Sequence, residues 1–371
     1  MVSRNRMKLP ATGKIAVYTE PNAPFQVQDY PIRAPLANEA LVKVSMSTIC
    51  RSDIHSYQGH RPSPCPGLLG HEIVGKIVAL GSGLTHDMRG DPIAVGDRIT
   101  WSEFFIPGDN YFSEVLDIPQ KSHGVEKYGH MAATTAPHHH GGFAEYCYVL
   151  PKSWILRIPD ALSDTEATPI NCGVATMVAV TEAANIRLGS TVVIQGLGLL
   201  GLYGAALAKS RGAKYVIGLE LNAKRRDQSK RFGVDIALDP SLAGTDLLKQ
   251  IKALCQPEGA DVVIEVCGVA DVLPLGLEMV RVGGTYVIAG LVSPGANVTL
   301  DANRIVKKMI TLKGVHNYHP RHLVEALDFV VKNKTIYPFS ELVDGQYSLD
   351  DVTQAMSDAS SQRVLRAAIV P

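Results

Sequence analysis

The chain has 371 residues, 46% of them hydrophobic and 19% charged, with Lys+Arg and Asp+Glu balanced at 36 each. That length exceeds what one hydrophobic core usually serves, so two domains are expected. The charge balance gives no reason to expect nucleic acid or an anionic membrane surface as a partner, and no apolar run approaches the roughly 18 residues of a membrane span.

Met1 to Gly13 lacks the apolar core of a secretory signal, so the expected location is cytoplasmic. Cysteines at 50, 65, 147, 172, 255 and 267 are too scattered for a disulfide framework. Short β-rich segments come first: Ile15–Tyr18, Ala40–Val44 and Ile73–Leu80, punctuated by Pro31, Pro35, Pro62, Pro64 and Pro66. A strand over Val95–Trp101 leads into Ser102–Gly142, a long polar stretch without a strong period, of the kind that is usually functional or mobile. Gly141–Tyr146 restarts a strand, and Pro151–Pro159 closes this β-rich part.

Near Ser163 the pattern changes. Thr165–Ala184 reads as a helix, Thr191–Ile194 as a buried strand, Leu199–Arg211 as a helix and Tyr215–Leu219 as a strand. Asp261–Val266 and Thr285–Gly290 continue the alternation, which predicts a doubly wound parallel sheet of six strands, complete by Leu312. Helices over His322–Lys332 and Leu349–Asp358 and a strand over Val364–Val370 then return to the first domain. The expected division is 1–172, 173–314 and 315–371, with the last piece belonging to the first.

Gly196, Gly198 and Gly201 form G-x-G-x-x-G between a strand and a helix that Leu199 opens. In that context the glycines allow a tight turn, backbone approach to a pyrophosphate and close helix–strand packing. Glu220 ends the next strand, where an acid binds ribose hydroxyls and repels a 2′-phosphate, so NAD is expected over NADP. Arg225 and Arg226 temper that preference; on bland grounds they form a solvated helix face.

Cys50-Arg51-Ser52-Asp53-Ile54-His55, followed by Gly70-His71-Glu72, is poor core material and reads as half of a catalytic zinc centre. Cys172, in Pro169-Ile170-Asn171-Cys172-Gly173, offers a third ligand and a Cys₂His set with one open position. Singly, each of these residues is more often a buried thiol or a core histidine; together they point to a metal.

Here the chain resembles the zinc-dependent medium-chain alcohol dehydrogenase family. The likeness runs through Cys-Arg-Ser-Asp-x-His at 50–55, Gly-His-Glu at 70–72, Val-Gly-Asp-Arg at 95–98, Gly-Gly-Phe-Ala-Glu-Tyr at 141–146 and Cys-Gly at 172–173, besides the nucleotide fingerprint. A looser likeness, to dehydrogenases encoded beside phosphonate breakdown pathways, rests on Pro119-Gln120-Lys121, Lys127-Tyr128-Gly129-His130 and His316-Asn317-Tyr318. The resemblance implies a GroES-like catalytic domain, a Rossmann domain, and a homodimer or homotetramer. It implies zinc ligands Cys50, His71 and Cys172, with Glu72 an occasional ligand and Asp53 orienting His71. Ser52 would take the alcohol proton and His55 relay it, while Arg51, Leu199, Leu291 and Arg366 join the glycines and Glu220 around the cofactor. The implied reaction moves a hydride between a small-molecule alcohol and NAD.

The sequence departs from the family at the lobe within Ser102–Ser122, which has no cysteine for a second, structural zinc. Glu103, Asp109, Glu114, Asp117 and His123 offer other donors, but a closed zinc site wants mostly thiolates. One catalytic zinc is therefore expected, with the lobe held by Trp101, Phe104, Phe105, Tyr111 and Phe112. His60, Arg61, His130, His140, His316 and Tyr318 are expected near the substrate cleft and suit a polar or anionic alcohol. His138-His139-His140 reads as an exposed loop or a weak metal site. Two alternatives stand beside the dehydrogenase: a zinc-free quinone or enoyl reductase of the same fold, and a nucleotide-binding protein without catalysis.

Overall fold

The computed structural model describes residues 9–241, 244–255 and 258–371. Met1 to Lys8, part of the stretch read as lacking a secretory signal, lie outside the described residues. Among the described residues no helix is long and apolar enough to cross a membrane. Two compact units divide the chain: one comprises Met1–Cys172, His319–Val331 and Phe339–Pro371, the other Gly173–Tyr318 and Lys332–Pro338.

In the first unit a sheet runs in the order Ile155–Arg157, Arg98–Trp101, Glu72–Leu80, Ala40–Thr48, Ala367–Val370 and Gly345–Ser348, and Tyr146–Val149 also pairs with Ala40–Thr48. Ala40–Thr48 and Glu72–Leu80 are antiparallel, with Thr48 opposite Glu72, so the end of one strand and the start of the other bring residues 50 and 71 together. The C-terminal strand pairs Ala368 with Thr48. Val352, Met356 and Ile369 share a buried cluster with Ala16, Ile49 and Ile54, which anchors the C-terminal segment to the first strands by apolar burial.

The second unit holds six parallel strands in the order Ile236–Leu238, Tyr215–Leu219, Thr191–Gln195, Ala260–Glu265, Val280–Ile288 and Thr311–Gly314. The expected doubly wound sheet is present, and Thr191–Gln195 is buried throughout, as a central parallel strand must be.

Several local expectations are corrected. The helix read over Thr165–Ala184 is three pieces: Asp164–Ala167, a 3₁₀ turn over Thr168–Asn171, and Gly173–Ala183. Pro169 lacks the amide that would continue the first helix, and Cys172 sits between the pieces with φ −136° and ψ −77°. The strand read from Val95 starts at Arg98, because Gly96 turns there with φ +103°. The strand read from Gly141 starts at Tyr146. In the lobe, Trp101 and Phe104 are fully buried but Tyr111 is 60% exposed. Its core forms instead around Tyr128, whose ring lies 5.9 Å from Trp101 and 5.4 Å from Phe105.

Candidate metal centre and nucleotide cradle

Asp53 is fully buried at the first turn of the helix Arg51–Tyr57 and accepts three hydrogen bonds. The Cys50 amide reaches Oδ2 at 2.8 Å, the Gly70 amide Oδ1 at 3.0 Å, and His71 Nδ1 donates to Oδ1 at 3.1 Å. One carboxylate thus fixes the backbone before the Cys50 side chain, the backbone before His71, and the tautomer of His71 itself. Gly70 makes its turn with φ +86°, and a Cβ there would come within 2.6 Å of Phe143, so only glycine fits.

The Cys50 and Cys172 sulfurs and a His71 ring nitrogen all lie within 4.8 Å of one another. A hydrogen bond from Cys172 holds the Cys50 thiol well below its usual range against the effect of burial, and His71 adds to it; the same bond and burial raise Cys172. A divalent cation held there would take both sulfurs as thiolates. Burial disfavours the charged imidazole of His71, but Asp53 and Cys50 outweigh it and raise its pKa. With Nδ1 committed to Asp53, Nε2 is left for a metal. Two thiols and an imidazole so gathered fit zinc.

Glu72 is fully buried and contacts Thr48 Oγ1; Arg366 Nη1 lies 3.5 Å from it. Burial pushes its carboxyl up to about 7, against the pull of Arg366. Arg366 also donates to the Ile49 carbonyl at 2.7 Å and is 6% exposed, so its partners are this carboxylate, a backbone oxygen and the Cys50 sulfur. Arg51 is exposed. Ser52 Oγ stands 3.4 Å from His71 Nε2. His55 is half-buried, its ring 6.0 Å from that of the exposed His60, and burial with nearby Arg51 lowers its pKa. Arg61 is half-buried.

The ring of His130 lies 5.4 Å from that of His71. The expectation of an exposed triple-histidine loop is overturned for two of the three: His139 and His140 have no exposed surface. His140 Nε2 lies 3.1 Å from the Thr135 carbonyl and His139 Nε2 3.3 Å from that of Tyr30, so both are structural links. His316 is exposed and Tyr318 buried, both in the second unit.

Sequence reasoning left Asn171 without a role and placed Glu103 only among lobe donors. Asn171 Nδ2 donates to the carbonyls of His71 at 2.9 Å and Trp101 at 2.8 Å, joining three segments around the triad. Glu103 is 2% exposed, with Oε2 3.8 Å from His71 Nε2 and Oε1 3.4 Å from Lys127 Nζ. Only the adjacency of Asn171 to Cys172 could have signalled the first, and nothing local the second.

In the second unit, Gly198 caps the helix Leu199–Ser210, and a Cβ there would meet nothing within 4 Å. A Cβ on Gly201 would fall 2.0 Å from the Gly196 carbonyl, and one on Gly196 2.7 Å from Cys267. The first position leaves room for an approaching anion, the other two close the turn, and the helix start supplies free amides, so the cradle fits a dinucleotide. Glu220 Oε2 accepts from the Leu197 amide at 3.0 Å and Oε1 from Asn222 at 3.0 Å, which aims it beside the turn. Arg226 is turned back to the Glu220 and Leu221 carbonyls and to Asp239 at 3.0 Å, while Arg225 lies 3.9 Å from Glu220. Leu199 is buried and Leu291 half-buried.

The sequence pattern of the alcohol dehydrogenase GroES-like domain matches residues 36–160, and that of the zinc-binding dehydrogenase matches residues 200–332. An L-threonine 3-dehydrogenase of Saccharopolyspora erythraea is 30% identical over 309 residues, 81% of this chain and 82% of its own. A sorbitol dehydrogenase of Halalkalibacterium halodurans is 28% identical over 349 residues, 94% and 96% of the two chains. The structure of an alcohol dehydrogenase from Thermotoga maritima superposes with a TM-score of 0.92 at 26% identity, covering 98% of this chain and all of the other. A proposed zinc-binding dehydrogenase from Sinorhizobium meliloti, bound to NADP, gives 0.85 at 27% identity over 98% of this chain.

Proposed function

The chain belongs to the zinc-dependent medium-chain alcohol dehydrogenase family, and from that membership we propose that it is a zinc enzyme interconverting a polar primary or secondary alcohol and its carbonyl with NAD. The observation that carries the reading is the convergence of Cys50, His71 and Cys172 within 4.8 Å. A quinone or enoyl reductase of this fold would have no use for such a set.

Cys50, His71 and Cys172 would hold the zinc, and Asp53 would keep His71 in its ligating tautomer. Zinc held by these residues would supply a Lewis acid for an alcohol oxygen, and a bound nicotinamide would supply the hydride acceptor. Ser52 Oγ, 3.4 Å from His71 Nε2, accepts the hydroxyl proton and passes its own towards His55. Neutral at pH 7 because burial and Arg51 lower its pKa, His55 is ready to take that proton and release it to water. Glu72 and Arg366 make a buried pair behind the triad, whose role here is to brace the strand that carries His71. Gly196, Gly198, Leu199 and Gly201 would cradle the pyrophosphate, and Glu220 the ribose hydroxyls. The aim of Glu220 at the turn supports NAD; the Sinorhizobium meliloti relative bound to NADP makes the second cofactor a necessary comparison.

Metal analysis and an alcohol panel with NAD and NADP test this. Wild type should carry about one zinc and reduce NAD faster than NADP, and Cys50→Ala should lose both metal and turnover. Undiminished turnover after complete removal of metal would end the reading.

A further inference from the structure

Arg61 is the exception among the enclosed arginines of the first unit. The half-buried Arg33 and Arg98 and the buried Arg366 each face a carboxylate, at 2.6 Å on Glu39, 2.5 Å on Asp164 and 3.5 Å on Glu72. Arg61 is half-buried too, yet among the described residues its guanidinium has neither a hydrogen bond nor an ion pair. Its backbone is pinned, because the His55 carbonyl accepts from the His60 amide at 2.9 Å and from the Arg61 amide at 3.1 Å. The turn that leaves the helix Arg51–Tyr57 thus folds back on the His55 backbone.

His130 is the second group without a counterpart. Its ring is stacked on that of His71, 5.4 Å away at an interplanar angle of 30°, and its Nε2 is buried with no hydrogen-bond partner among the described residues. Burial first, then the charges of His71, Lys127 and Arg61, hold His130 well below the usual histidine range, so Arg61 is in electrostatic reach of this ring as well as of His55. Lys127 is already matched by Glu103 at 3.4 Å.

A guanidinium partly withdrawn from water and without an acid has lost hydration that nothing replaces, and its fork fits two oxygens of one anion. A neutral imidazole can present an N–H at the enclosed Nε2, which also lacks an acceptor. One anion with three oxygens fills both gaps, two oxygens on the fork and the third on the imidazole. A planar carboxylate has only the two. With His130 stacked on His71, a short carbon chain joins such an anion to a hydroxyl at the metal centre.

We infer that Arg61 and His130 bind a tetrahedral oxyanion, a phosphate or sulfonate group, carried by a short-chain alcohol substrate. This rests on the proposal that the protein oxidises alcohols at the Cys50–His71–Cys172 centre.

Four alcohols that share one HOCH₂CH₂ unit test it: 2-hydroxyethyl phosphate, 2-hydroxyethanesulfonate, 3-hydroxypropanoate and 1-propanol. The kcat/KM of each would be measured for wild type, Arg61→Met, Arg61→Lys and His130→Leu, with zinc content determined alongside. Wild type should favour the phosphate or the sulfonate over the other two, and those arms show which oxyanion is read. The ratio of the favoured arm to 1-propanol should fall roughly ten- to hundred-fold in Arg61→Met and less in Arg61→Lys, which keeps the charge without the fork. It should also fall in His130→Leu with zinc retained. A wild-type preference for 3-hydroxypropanoate, or ratios unchanged in the variants with 1-propanol still oxidised, overturns the oxyanion site and leaves the dehydrogenase standing. So do equal losses on all four alcohols accompanied by loss of zinc, which would make these residues supports of the metal centre. If wild type oxidises none of the four with either cofactor, both readings fall.

Discussion

Asp53 carries more of the candidate centre than either thiol, because its two oxygens hold both the Cys50 and Gly70 amides as well as the His71 ring. In Asp53→Asn one acceptor oxygen becomes an amide donor facing another donor. Zinc affinity should drop about 10- to 100-fold in a chelator competition, and unchanged affinity would remove Asp53 from its orienting role. His140 makes a different prediction at the same scale. Burial lowers its pKa to about 4, from the 6.5 of a free histidine. The folded state therefore keeps it neutral while the unfolded chain takes up a proton below pH 6.5. Its contribution to stability is full above that value and is lost as the pH falls towards 4, reaching roughly 2 kcal/mol of loss at pH 5. Denaturant midpoints of wild type should fall more steeply from pH 7.5 to 5 than those of His140→Asn; parallel curves would show that His140 does not titrate in this window. The orienting role of Asp53 was expected from the family resemblance, whereas that of His140 was not readable from the sequence. Three consecutive histidines carry no mark of burial, and only the pairing of the His140 ring with Thr135 settles its surroundings.

The break at Thr168–Asn171 shows where elements were legible and where they were not. Helical residues on both sides were evident from composition, and the sequence Thr-Pro-Ile-Asn-Cys-Gly contains its own stop signal in Pro169. What a linear reading cannot supply is that Asn171 spans two other segments, donating to the carbonyls of His71 and Trp101. Because Asn171 is buried, replacing it with leucine leaves two carbonyls without their donor and loosens the approach of Cys172 to the other ligands. Asn171→Leu should lower stability by about 1–3 kcal/mol in denaturant unfolding and weaken zinc retention in the same protein. Loss of stability with zinc retention unchanged would limit the residue to an ordinary core role. The strands, by contrast, were legible wherever a run was apolar throughout, as in Thr191–Gln195, or sharply bounded, as in Tyr215–Leu219. They were misplaced by a few residues where glycine allowed a turn inside an otherwise strand-like run, as at Gly96 and Gly141–Gly142.

At the scale of the molecule, the two kinds of site are assembled by different logics. The metal triad draws on residues far apart in sequence, 50, 71 and 172, all belonging to the first unit. The phosphate cradle is a single contiguous turn, Gly196 to Gly201, inside the second. The contiguous turn was legible in the sequence, because glycines between a buried strand and a helix mark one strand-to-helix junction. The dispersed one was legible only through the types of its residues, and its acidic and amide neighbours Glu103 and Asn171 came from folding alone. Since no residue is shared, each site should survive loss of the other. Removing metal with a chelator should abolish alcohol turnover while NADH still binds, as read by its fluorescence and by the rise in unfolding temperature that any ligand of the folded state produces. Gly201→Ala forces a methyl group to within 2.0 Å of the Gly196 carbonyl, so it should lose NADH binding by at least tenfold yet retain about one zinc per chain. Were the chelated protein to lose NADH binding as well, or the Gly201→Ala protein its zinc, the two sites would be energetically coupled and this division of labour between the units would be wrong.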